Sequence, residues 1–152
     1  MTEKDLMAQP LAKATETIDG HAFTIVVPTG LDTDRSKTYV YWRSKSSFDL
    51  PTVSVIYSDM PMTPGEKGPG LSVPEEGQRE IARNEALPEG GYLQLDQRKD
   101  HRYVELELCR PAAGGSMCCD VQQRVGAKDP PIADYPAVLV WAEKICRSLA
   151  PG

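Results

Sequence analysis

The sequence predicts an α+β fold, a twisted and mostly antiparallel β-sheet flanked by two α-helices. Three observations predict it. Short runs in which apolar and polar residues alternate recur along the chain, the 13 prolines and 12 glycines fall mainly between those runs, and a helical-period apolar stripe closes the sequence. With 152 residues, 40% of them hydrophobic and 26% charged, the chain can bury a core of its own as one domain over residues 14–150.

Met1 to Lys13 mixes charge, Gln and Pro without a period, so it reads as a flexible tether. Thr15 to Ile18, Asp19-Gly20 and His21 to Val27 then form a hairpin signal, since Asp-Gly supplies the two positive-φ positions of a type I′ turn. Phe23, Ile25 and Val27 make its inward row, and Pro28 ends it. Thr38 to Arg43 is a strand with large side chains on both faces, which suits cover on both sides. Its Tyr39, Tyr41 and Trp42, with Tyr57, are read as core or sheet-face residues, a binding platform being the lesser reading.

After polar turn chemistry at Ser44 to Pro51, Thr52 to Ser58 resumes alternation with Val53, Val55 and Tyr57 on one face. Asp59 to Gly70 is dense in Pro and Gly and reads as an exposed loop. In it Met60 and Met62 flank Pro61, an adaptable apolar tip that is the candidate binding element. Ser72 with Glu75 offers a capping box for a surface helix with Val73, Gly77 and Ile81 on its stripe, ending before Pro88. Tyr92 to Arg98 is a strand with Leu93 and Leu95 inward.

The last two strands, Arg102 to Cys109 and Met117 to Val125, hold three of the four cysteines. Period 2 sets Val104, Leu106 and Leu108 against Tyr103, Glu105, Glu107 and Cys109, and sets Met117, Cys119 and Val121 against Cys118, Asp120 and Gln122. Cys109 and Cys118 therefore share the polar face, while Cys119 faces the core. Asp134 caps a final helix whose Tyr135, Val138, Ala142, Ile145, Cys146 and Leu149 fall on one side. These faces favour the disulfides Cys109–Cys118 and Cys119–Cys146, the larger loop contributing about 3 kcal/mol by chain entropy. Four reduced cysteines stay open as the alternative. Zinc is disfavoured because no C-x-x-C or H-x-x-x-H spacing occurs.

Other chemistry is sparse. Asp32 and Asp34 lack the glycine and distal glutamate of a calcium loop. Glu75, Glu76 and Glu80 sit where a helix dipole favours acids anyway, and Ser72, Ser116 and Ser148 lack a nucleophile-elbow sequence. His21 and His101 both fall in hairpin turns. No catalytic residue, metal site or cofactor is assigned. The net charge of −5, with no Lys/Arg block, argues against nucleic acid and anionic lipid as partners. No apolar run reaches the roughly 20 residues needed to span a bilayer, and Met1 to Lys13 lacks the apolar core of a signal peptide.

The element order, with Phe23, Ile25, Pro28 and Gly30 in its opening hairpin, resembles the PsbP-like family, which implies an antiparallel sheet flanked by helices. The ending Trp141 to Leu149, with the upstream Cys118-Cys119, also resembles small bacterial envelope lipoproteins, although this chain lacks their lipobox. Neither resemblance carries catalytic residues. With chemistry this sparse, the reading is a non-enzymatic, monomeric envelope protein that binds another protein or a surface structure, in the periplasm or outer cell envelope if a signal was removed and cytoplasmic otherwise. The alternatives are a cytosolic secretion chaperone or toxin-neutralising partner, and an enzyme whose site is assembled from scattered residues.

Overall fold

The computed structural model describes residues 2–45, 49–62 and 78–152. In chain order its elements are α1 (Glu3–Ala8), β1 (Leu11–Ile18), β2 (His21–Pro28), β3 (Asp32–Arg35), β4 (Tyr39–Arg43) and β5 (Thr52–Ser58). There follow β6 (Arg79–Ala86), β7 (Tyr92–Arg98), β8 (Tyr103–Ala112), β9 (Gly115–Arg124), α2 (Tyr135–Arg147) and β10 (Ala150–Pro151). They make two antiparallel sheets where the sequence led us to expect one. A three-stranded sheet has the order β1-β2-β10, and a seven-stranded sheet the order β3-β4-β5-β9-β8-β7-β6.

One face of the larger sheet carries the core. Val40, Trp42, Val53, Val55, Leu93, Leu95, Leu106, Leu108 and Val121 alternate inward and join Phe23 and Ile25 of β2 with Val138, Ala142 and Ile145 of α2 in one buried cluster. Packing α2 and the small sheet onto that face removes the apolar stripe of each from water, at about 25 cal/mol per Å² of apolar surface. The opposite face carries Tyr39, Tyr41, Ser54, Ile56, Tyr92, Gln94, Asp96, Glu105, Glu107, Asp120 and the Cys109–Cys118 pair; we call it the outer face.

The hairpins follow local turn chemistry. Asp19 and Gly20 both have positive φ, 49° and 80°, as the Asp-Gly turn requires. Gly91 is obligatory for a different reason: its φ is 84°, and a Cβ there would lie 1.9 Å from the carbonyl oxygen of Cys109. The β8–β9 hairpin is longer and tighter than alternation suggested. Its ladder continues through Pro111↔Ser116 to Ala112↔Gly115, which leaves Ala113 and Gly114 as the turn.

Two further expectations are corrected. Arg79–Ala86 is a strand, where a capping box suggested a helix starting at Ser72; Ser72, Val73, Glu75, Glu76 and Gly77 themselves lie outside the described residues. A thin apolar stripe gives a helix little to bury. The backbone of the same residues completes the ladder of β7, whose Leu93 and Leu95 are core, at the sheet edge. The second correction is at the start of the chain. The stretch read as a tether contains α1, closed by a Thr2–Asp5 capping box, and the first residues of β1. Leu6 of α1 is fully buried in the core, and Glu3 accepts a hydrogen bond from the Gln123 side chain at 2.9 Å.

Candidate functional site

The outer face of the large sheet gathers most of the residues that could contact a ligand. Its rows cross the strands in register. Tyr92, Cys109, Cys118, Ile56 and Tyr39 form one row through β7, β8, β9, β5 and β4. Gln94, Glu107, Asp120, Ser54, Tyr41 and Asp34 form the next.

Two disulfides hold this sheet from both sides. Cys109 and Cys118 face each other across β8 and β9 with S–S 2.06 Å and Cα–Cα 4.0 Å. Cys119, pointing to the core, is bonded to Cys146 of α2 with S–S 2.09 Å and Cα–Cα 5.3 Å. Adjacent residues of one strand thus serve opposite faces, as the pleat dictates. The expectation that Cys109 and Cys118 lie on a wet face is corrected, because each is only 1% exposed. They pack with Tyr92, and Ile56 and Met62 close over the cluster. Those covering residues come from β5, β7 and the loop after β5, which the pattern of the hairpin alone does not contain.

The methionine tip divides accordingly. Met62 packs against the Cys109–Cys118 cluster, and its backbone N–H donates to Ser116 Oγ at 3.0 Å. Met60 is 66% exposed. Residues 63–70 of the expected loop lie outside the described residues.

Tyr39, Tyr41, Ser54, Ile56 and Asp34 line a groove of about 350 Å³ at the β3–β4–β5 end of the outer face. Tyr39 is 40% exposed. Asp34 closes one side and is ion-paired to Arg43 at 3.1 Å. The other two aromatics belong to the interior or its rim. Trp42 is buried, and Tyr57 stacks on His21 while its hydroxyl donates to the Ala113 carbonyl at 2.9 Å.

Further along the face, phenols and carboxylates pair. The Tyr92 hydroxyl donates to Glu107 Oε1 at 2.5 Å, and the Tyr103 hydroxyl to Glu105 Oε1 at 3.0 Å. Burial first, and then the neighbouring carboxylates, push both phenols well above their ordinary value. They therefore act as hydrogen-bond donors and hold Glu107 and Glu105 in place.

The remaining candidates that lie within the described residues are structurally engaged. His101 stacks on Tyr135, and burial, followed by the charges of Glu80 and Asp96, pushes the Tyr135 phenol up to about 12. Ser148 Oγ accepts from the Val26 N–H at 2.9 Å, and Asp32 pairs with Lys45 at 3.7 Å. Glu80 accepts from the Gln97 side chain at 2.7 Å. Among the described residues no three His, Cys, Asp or Glu side chains converge as a metal-binding set, and no helix is long and apolar enough to cross a membrane. No protein-family model matches this sequence, and no curated protein is similar to it.

Proposed function

We propose that this chain is a non-enzymatic binding protein of an oxidising compartment, the bacterial envelope, and that it engages a protein partner as a monomer through the tyrosine groove and Met60. The observation that carries the reading is the groove itself. Two tyrosines stand side by side on a sheet braced by the Cys109–Cys118 disulfide through Ile56. Tyrosines give large amphipathic contact area at low entropic cost, and a rigid sheet beneath them lowers the cost of ordering on binding. The disulfides support the compartment, because such bonds persist where glutathione does not reduce them. Met60, exposed in the loop that follows β5, adds an adaptable apolar contact. The PsbP-like likeness enters this reading as an analogy of architecture, supported by the Asp19-Gly20 hairpin and the closing helix.

The test places a photo-crosslinking phenylalanine analogue at Tyr39, or at Val140 as a control, in the full chain within envelope-bearing cells. Val140 is 71% exposed on α2 and lies outside the groove. The proposal expects a discrete cross-linked protein from position 39 that is lost when Tyr41 and Met60 are changed to Ser. Cross-links from position 140 alone, equal products from both positions, or none from position 39, would overturn it.

A further inference from the structure

A second concavity opens on the outer face where β7 and β9 end and β8 begins. Arg98, Arg102, Tyr103, Arg124, Val125 and Gly126 line most of its volume of about 260 Å³. Its wall presents three guanidinium groups and no carboxylate, on a chain whose net charge is −5. The nearby acids are engaged outside its lining, Asp96 and Glu105 in the next row of the same face. Asp100 accepts from Arg98 at 3.0 and 2.7 Å and lies 3.8 Å from Arg102, while Asp96 holds Arg79. Glu105 is taken by the Tyr103 hydroxyl, and Asp129 caps the Gly126 N–H at 3.2 Å. Arg102 donates to the Gly126 carbonyl at 2.9 Å and to that of Asp129, which fixes the loop forming the far wall. The Tyr103 ring is the floor, with the guanidinium carbons of Arg79 and Arg124 at 4.9 and 5.0 Å from its centroid. Arg124 is exposed, and among the described residues it has no carboxylate partner.

We propose that this pocket binds a small tetrahedral oxyanion, a phosphate or the phosphate group of a monoester. Guanidinium forks match the oxygens of such a group in pairs, and forks already held by ion pairs and a stacked ring lose little freedom on binding. The cation–π contact keeps Arg124 over Tyr103 without neutralising it. The volume suits one oxyanion with a short organic remainder, below the range typical of larger ligands.

The experiment is a titration of the oxidised full chain with inorganic phosphate, and separately with glycerol phosphate, at constant ionic strength. It follows the amide resonances of Val125 and Gly126. Saturable shifts are expected, weakened about tenfold in Arg124→Gln through loss of a charge-assisted hydrogen bond. Arg124→Lys, which keeps the charge and loses the fork, should fall between. Arg43→Gln, at the other end of the sheet, should match the unsubstituted chain. Tighter binding of the monoester identifies a head group and equal binding a free ion, and both support the site. Shifts that do not saturate, or equal affinity in Arg124→Gln and the unsubstituted chain, overturn it.

Discussion

Glu143 shows how one side chain ties two elements together. Its carboxylate accepts from Arg83 of β6 at 2.5 Å and from Arg147, one turn along α2, at 2.7 Å. The Arg83 hydrogen bond first, and then Arg147, hold its pKa below the ordinary 4.5 against the opposing effect of burial. A carboxyl depressed in the folded state stabilises fully above its unfolded value and loses that contribution as pH falls through its folded value. The network is partly exposed, so solvent screening reduces the effect. Urea midpoints followed from neutral pH to below 4.5 should therefore drop less steeply in Glu143→Gln, which should also be the less stable protein at pH 7. Parallel profiles would show that the pair contributes nothing to the acid limb. At this scale much was legible in the sequence. Period 2 assigns Cys109 with Cys118 to one face and Cys119 to the other, and the structure joins the cysteines that share faces. Their dryness was not legible, because Ile56, Met62 and Tyr92 arrive from distant parts of the chain.

At the scale of elements, α2 shows where sequence reading works. Asp134 caps it, and the stripe of Tyr135, Val138, Ala142, Ile145 and Cys146 is buried as its period requires. Thirteen residues are long enough for a period to show. The six residues of α1 are not, and the burial of Leu6 depends on the core it meets rather than on its neighbours in sequence. The arrangement gives the first residues, read as a flexible tether, a place in the core. Leu6→Ala should lower stability by about 2–5 kcal/mol in chemical denaturation, since it empties a fully buried site. A change within about 0.5 kcal/mol, the range of ordinary surface substitutions, would return α1 to the status of a tether. For β6 the helix expected over Arg79–Ala86 gave way to the long-range ladder with β7.

For the whole molecule, the alternating strands and the closing helix establish the α+β class, but not the division into two sheets or the strand order. The central pairing of β5 with β9 joins Val55 to Cys119 across the chain, and β10 returns to β2. Such contacts leave no mark in any one segment, and neither does a groove assembled from β3, β4 and β5 or an arginine pocket assembled from three strand ends. What unites these features is cross-linking. One disulfide stiffens the outer face and the other ties the opposite face to α2, closing a loop that is worth about 3 kcal/mol by chain entropy. The most direct test is mass spectrometry of the full chain made in an oxidising compartment, alkylated without reduction. The account predicts no alkylated cysteine in the unsubstituted protein and one in Cys109→Ser, at Cys118. Four alkylated thiols in the unsubstituted protein would contradict it.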